Sequence, residues 1–403
     1  LARRLRIRTA PNPNPEPPAN PMAAKQYKNL VDMQESVCAE YASKPALGTK
    51  VDGVYRWTTY EEFGKRIAAC RGALALMGVK RGDKVAMIAN NREEWAVAAY
   101  ATYSLGAHFV PMYEAQLPKD WEYILDDSAS VVLFAATQEI YDKTIGFVDS
   151  IASLSEVVCL DAPESKEYSW AAWMKRGADN ATPSVDVDPS EVAGLIYTSG
   201  TTGKPKGVML SHDNFISNVN AVNMVFPRED DVSCSFLPWA HSFGQTAELH
   251  CMLSAGCAVG IAESVNTLMD DFLLVRPTVL FAVPRIFNRI YDGLQKRMAT
   301  ESPVKRFMFN KALDVASRRR ELRLKGQQSA WLDKQHALFD KLVFSKIRDR
   351  FGGRLKYSFS GGAALQKEVG EFIDDIGIDV YEGYGLTETS PIATVNNPEA
   401  RKF

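Results

Sequence analysis

The chain is short of several things that would classify it quickly. Its six cysteines (Cys38, Cys70, Cys159, Cys234, Cys251 and Cys257) form no C-x-x-C pair and have no histidine at zinc spacing. That excludes a disulfide framework and a cysteine-built metal cage, and suits reduced thiols. Charge is nearly balanced, with 47 Lys and Arg against 49 Asp and Glu, which leaves no electrostatic case for a nucleic-acid partner. No apolar run is long enough to span a bilayer. The most apolar stretch, DFLLVRPTVLFAVPRIF, is broken by Arg276 and Pro277, and WAVAAYATYSLGAHFVP is broken at Gly106. No internal repeat is visible. What remains is a 403-residue chain, long enough for a sizeable buried core.

Residues 1–21 stand apart. LARRLRIRTA carries arginines and no acid, and a proline-rich run follows, so neither helix nor sheet is expected and the segment reads as a disordered tail. It is either a remnant of an organelle-targeting peptide or sequence upstream of a start at Met22. The opening leucine favours the second reading, and the folded unit is placed at 22–403.

From about residue 56, helical and strand patterns alternate. Phe63, Ile67, Cys70, Leu74 and Met77 recur at helical spacing before a stop at Gly78, and Lys84–Ala89 then reads as a buried strand. A helix over Arg92–Leu105 leads to a strand at His108–Val110. Another helix opens at Leu117-Pro118-Lys119-Asp120, before a strand at Val131–Phe134. This rhythm predicts an α/β fold of parallel sheets flanked by helices. A charged helical insert interrupts it at about 292–350. Within the insert, Val304–Lys325 sets eight basic residues against two acids, with an expected apolar stripe of Val304, Met308, Ala312 and Val315. The insert is either a surface leaning on anionic lipid or a solvated helical face; the second is the plainer reading.

The chemistry concentrates in GLIYTSGTTGKPKGVMLSH, residues 194–212. It is not the P-loop of nucleoside triphosphatases. Gly200 and Gly203 are two residues apart, and Lys204 precedes Pro205, which has no N–H to offer a phosphate. The pattern instead predicts a strand at Gly194–Tyr197, an open loop, a strand at Val208–Leu210, and a helix capped by Ser211. Thr198, Ser199, Thr201 and Thr202 supply hydroxyls, and Gly200 and Gly203 let backbone amides approach an anion. Lys206 adds a positive charge.

TSGTTGKPKG resembles the signature of the AMP-forming acyl-activating enzymes: acyl-CoA synthetases, aryl-CoA ligases, luciferases and peptide-synthetase adenylation domains. Three further segments resemble theirs in order: LPWAHSFG (237–244), SGGAAL (360–365) and YEGYGLTETSP (381–391). The resemblance implies an α/β N-terminal domain of stacked mixed or parallel sheets flanked by helices. It implies that Thr198–Lys206 holds the β- and γ-phosphates of ATP, with Tyr384 stacked on adenine and Gly362 and Ala363 at its edge. Glu382, Gly383 and Gly385 complete that segment, Thr387 meets the α-phosphate, and Glu388 holds Mg2+. His241 is placed beside the substrate carboxylate; His108, His212, His250 and His336 lack such context. Small residues (Gly244, Ala247, Gly361, Gly362, Ala363) are expected near the acyl pocket.

The implied reaction joins a carboxylate to AMP, releasing pyrophosphate, and then passes the acyl group to coenzyme A. Segments 110–130 and 276–294, and the charged insert, resemble the long-chain fatty acid branch. The implied setting is cytoplasmic, with peripheral membrane contact and organelle targeting both left open. Two alternatives stay open: transfer to a carrier-protein thiol, and a non-catalytic lipid- or nucleotide-binding protein. The chain stops before the ribose-binding aspartate, hinge and small lysine-bearing C-terminal domain of that family. It is therefore expected to be a fragment that adenylates poorly.

Overall fold

The computed structural model describes residues 25–199, 203–226 and 230–401. The amino-terminal tail and the loop residues Gly200, Thr201 and Thr202 lie outside the described residues. The first strands form a hairpin, β1 (Pro45–Val51) and β2 (Val54–Thr59), joined by Asp52-Gly53. Both turn residues have positive φ (51° and 79°), the geometry that matches strand twist in a two-residue turn. Thr59 and Glu62 then form a capping box that starts the helix Tyr60–Leu76. Phe63, Ile67, Cys70 and Leu74 are buried on this helix, and Met77 sits half-buried at its end.

β3 (Lys84–Ile88), β4 (His108–Met112), β5 (Ser130–Ala135) and β6 (Glu156–Cys159) alternate with helices Glu93–Tyr103, Pro118–Ser128 and Gln138–Thr144. β7 (Val192–Thr198) and β8 (Lys206–Ser211) form the hairpin around the hydroxyl-rich loop. Ser211 and Asn214 make a second capping box, starting the helix His212–Val225. β9 (Val232–Ser235), β10 (Ala258–Ile261), β11 (Val279–Ala282), β12 (Tyr357–Ser360) and β13 (Asp379–Gly385) follow, with β14 (Ile392–Val395) last.

Two sheets result. One runs β6-β5-β3-β4-β7-β8 and the other β14-β13-β12-β11-β9-β10-β1-β2. Both are parallel in the middle, as the alternating pattern predicts, but β7–β8, β1–β2 and β13–β14 are antiparallel. The reason is connection length: short turns can join only antiparallel neighbours, whereas a parallel pair needs a crossover.

Along β11 and β12, successive side chains leave opposite faces of the eight-stranded sheet. Phe281 and Phe359 join the larger core, which includes the six-stranded sheet, while Leu280 and Ala282 join a second core with Phe272, Phe287 and Phe309. The charged insert packs on that second face through Pro284–Thr300, Pro303–Leu324 and Ala330–Phe339. Its stripe differs from the sequence expectation: Phe309, Ala312, Val315 and Ala316 are buried, Met308 is half-buried, and Val304 is exposed. Val304 lies in the first turn, where it borders an open space shared with Leu294, Met298 and Leu342 and so stays exposed. None of the six cysteines, all among the described residues, forms a disulfide.

Candidate active site

A cavity of about 330 Å3 opens beyond the carboxyl ends of β11, β12 and β13, where the two sheets meet. Ends of parallel strands are the usual ligand position in open α/β sheets, because loops there are free to vary above a rigid floor. One wall is apolar: Phe226, Phe243, Ala247, Phe281 and Phe359. The other is polar, with Thr198, His241, Ser242, Ser360, Thr387 and Glu388. Thr198 is the last residue of β7, and Gly383–Glu388 run off β13, so segments almost 200 residues apart share one cavity.

A clamp helps hold them together. On the helix that follows the hairpin, Asn218 accepts from the Ile392 amide at 2.7 Å and donates to the Thr389 carbonyl at 3.4 Å. The turn between them closes on itself, since the Leu386 amide donates to Thr389 Oγ1 at 2.9 Å and to the Pro391 carbonyl at 3.1 Å. Gly385 is required there: a Cβ would lie 1.7 Å from the Pro391 carbonyl oxygen. Thr387 is buried, and its hydroxyl receives a long 3.4 Å bond from Ser242. Glu388 is exposed toward the cavity.

On the far side, the hairpin is tied to the helix Pro118–Ser128. Tyr197 donates to Asp127 Oδ2 at 2.7 Å, Tyr123 donates to the Pro205 carbonyl at 3.3 Å, and the Lys204 ammonium sits 4.8 Å from the Tyr123 ring centre. Lys206 pairs with Thr198 across the hairpin and is exposed at its mouth, outside the cavity lining. Ser199 and Gly203 are also exposed beside the loop.

Tyr384 is 65% exposed, so it is not a core tyrosine. It lines both the main cavity and an adjoining recess of about 590 Å3, which Gly362, Ala363, Glu382, Gly383 and Gly385 also border. Glu382 Oε1 accepts from the Leu365 amide at 2.8 Å, anchoring the glycine-alanine segment to β13.

His241 lies exposed on the cavity rim, and its Nδ1 accepts from the Phe243 amide at 3.1 Å. The surrounding wall holds its pKa below the ordinary value through desolvation. A neutral ring whose Nδ1 accepts carries its proton on Nε2, so His241 is set up as a donor. Ser360 is buried on the cavity wall, and among the described residues its hydroxyl has no hydrogen-bond partner. A buried unpaired hydroxyl is costly unless a ligand meets it. Gly244 does not line the cavity: it packs against the Leu237 and Pro238 carbonyls, where a Cβ would come within 2.4 Å.

Sequence reasoning missed Asn218, Ser242, Ser360 and the four phenylalanines. Ser242 and Ser360 lie inside quoted motifs, and neighbourhood was a usable signal. Asn218 sits on an ordinary helix and Phe226 just past its end, which gives no local clue. Glu248, fully buried on the helical segment Phe243–His250, was also unread. Burial raises its pKa to about 8, although Ser235 donates to it at 2.7 Å. His212 and His250, buried behind the cavity, are lowered to about 4 and about 3 by desolvation.

Comparison with known proteins agrees with this architecture. Long chain acyl-CoA synthetase 7, peroxisomal, of Arabidopsis thaliana is 32% identical over 394 residues, covering 93% of this chain and 54% of that protein. Fatty acyl-CoA synthetase A of Dictyostelium discoideum is 32% identical, covering 86% of this chain and 52% of that protein. The chain thus spans about half the length of the curated relatives it matches. Among solved structures, the adenylation domain of a carboxylate reductase from Mycobacterium chelonae aligns with a TM-score of 0.72 at 21% identity, covering 91% of this chain and 59% of that one. The anthranilate CoA ligase AuaEII, solved with anthranoyl-AMP, aligns at 0.69 with 19% identity, covering 94% and 63%. These two likenesses speak to the fold. The model of the AMP-binding enzyme family matches residues 34–403, and the chain belongs to that family.

Proposed function

We propose that this chain is the carboxylate-activating part of a long-chain fatty acid–CoA ligase. The observation that carries the reading is the two-sided cavity: hydroxyls and a carboxylate on one wall, four phenylalanines on the other. An adenine would occupy the recess against Tyr384, Gly362 and Ala363, and the acyl chain would lie along Phe226, Phe281 and Phe359. The reacting carboxylate would then meet His241 and Thr387 where the two spaces join.

A carboxylate cannot expel oxide, so it must first be given a better leaving group. Its oxygen attacks the α-phosphorus of ATP, the bond to the bridging oxygen breaks, and pyrophosphate leaves with the electron pair. Such a displacement is helped mainly by positioning and charge neutralisation. Thr198, Ser199, the loop amides and Lys206 would hold the β- and γ-phosphates, and Thr387 would hold the α-phosphate. The Nε2–H of His241 would orient the carboxylate, and the phenylalanine wall would exclude water from the adenylate. In the second step, the coenzyme A sulfur bonds to the acyl carbon as AMP leaves as an anion and the thiol proton passes to solvent.

Magnesium fits the donor set. Glu388 is a lone exposed carboxylate on the cavity wall, and among the described residues no cluster of three or more metal-ligating side chains exists. A single hard oxygen suits an ion that arrives already bound to phosphates. When bound, that ion supplies neutralisation of phosphate charge.

The test is palmitate-dependent ATP–pyrophosphate exchange by the complete protein. Glu388→Ala should abolish exchange while leaving the fold intact by circular dichroism. Exchange that is absent in the wild type, or unchanged in the variant, would remove this assignment.

A further inference from the structure

We infer that a second site for a long-chain carboxylate lies on the opposite face of the eight-stranded sheet. Behind Leu280 and Ala282, the helices Leu268–Val275 and Pro284–Thr300 enclose a groove of about 290 Å3 with the segment Ile347–Phe351. It runs on into a space of about 530 Å3 beside the helix Pro303–Leu324; the two share Leu294, Arg297, Ile347 and Arg350.

The lining is chemically one-sided. The first groove has an apolar floor that includes Leu268, Phe272 and Ile290, and its polar side chains are Arg289, Arg297 and Arg350. Neither an acid nor a neutral hydrogen-bonding side chain lines it. In the second space Glu301 is the acid, already engaged by Lys305 at 2.8 Å and Arg297 at 3.8 Å, and Lys346 adds a further cation. Among the described residues, Arg289 and Arg350 make no ion pair.

Gly293 supplies an independent observation. It lies mid-helix on the groove, and a Cβ there would meet nothing within 4 Å. A helical glycine costs about 1 kcal/mol relative to alanine. No crowding demands one here, and the exposed position leaves the groove lining bare at that point, with room for a larger side chain to enter.

An apolar trough edged by guanidiniums matches one chemistry: a single alkyl chain ending in an anion. A peptide would bring backbone groups needing hydrogen-bond partners that this lining lacks. A flat bilayer cannot enter a recess. The site goes beyond the proposed reaction, because it is separated from the candidate active cavity by the sheet itself.

The probe is a fluorescent long-chain carboxylate titrated below its micelle concentration into the complete protein, with its fatty-alcohol analogue in parallel. Two equivalents of carboxylate should bind. Gly293→Phe should remove one equivalent, and Arg289→Glu with Arg350→Glu should weaken that same equivalent at least about tenfold. The alcohol should fill this site at least about tenfold more weakly than the acid. Ala247→Trp, in the active cavity, should remove the other equivalent. Retention of two equivalents by Gly293→Phe with native circular dichroism overturns the proposal. So does binding seen only with phosphatidylserine vesicles, or an unchanged affinity in the arginine variant. Pyrophosphate exchange is read separately, so failure of the catalytic assignment cannot be mistaken for failure of this one.

Discussion

Asn218→Ala tests whether the hairpin and the Thr387–Thr389 turn work as one unit. Asn218 makes the 2.7 Å bond from the Ile392 amide and the 3.4 Å bond to the Thr389 carbonyl. The shorter contributes about 1 kcal/mol net, and stranding the half-buried amide costs about as much again. The longer contributes little, because it lies at the edge of useful geometry. About 2 kcal/mol is therefore at stake, roughly thirtyfold in a rate if all of it falls on the reaction. It should fall there, since Thr387 and Glu388 sit on the turn being released while Thr198 stays on the hairpin. Steady-state pyrophosphate exchange should show kcat/KM for ATP reduced about ten- to thirtyfold, with a lower urea midpoint. An Asn218→Ala protein that unfolds earlier but keeps wild-type ATP kinetics would refute the coupling. The clamp would then be structural support only.

Lys206→Ala should raise the KM for ATP about tenfold or more while the KM for fatty acid stays unchanged, as steady-state kinetics would show. Glu382→Leu should raise the KM for ATP about fivefold by freeing the Leu365 amide, whereas Glu382→Gln keeps an acceptor and should behave nearly as wild type. Equal damage from both would mean that charge, not anchoring, is what counts. Stability should peak near pH 6.5. The folded state keeps a proton on Glu248 up to about pH 8 while the unfolded chain releases it at 4.5, so stability falls as pH rises through that window. His212 and His250 stay neutral in the fold to about 4 and 3 while the unfolded chain protonates near 6.5, so stability also falls as pH drops below 6.5. Two histidines outweigh one glutamate in the overlap, and Glu248→Gln should remove the decline in urea midpoint above pH 6.5.

The parts legible in sequence were those set by local chemistry. Helix starts at Tyr60, Pro118 and His212 follow from caps and prolines, and β7 and β8 follow from apolar runs bounding the loop. The β1–β2 hairpin was unread although its Asp-Gly turn was a usable signal, because the flanking PALGTKV and VYRWTT alternate weakly in hydrophobicity. Val304 was misplaced because helical periodicity gives a stripe but not whether the space in front of it is filled. The same limit hid the apolar wall of the cavity. Phe226, Phe281 and Phe359 look like any core aromatic, and only the meeting of two sheets decides that they border a cavity.

That meeting also explains why the polar and apolar duties are divided as they are. The wall residues Phe281 and Phe359 stand on paired parallel strands, whose register Phe281↔Phe359 fixes both rings on the same face. Because a strand alternates faces, a slip of one residue would bring Leu280 or Ala282 to the cavity and send the aromatics to the second core. The shape of this apolar wall is therefore set by sheet register, which is stiff. The groups proposed to face phosphate stand where loops begin or turn: Thr198 at the end of β7, and Thr387 and Glu388 on a single turn clamped by Asn218. Loops of this kind adjust at small cost, whereas a packed wall does not. It follows that substitutions at Phe281 or Phe359 should change which acid is accepted more than how ATP is used, and substitutions along Thr387–Ser390 should do the reverse.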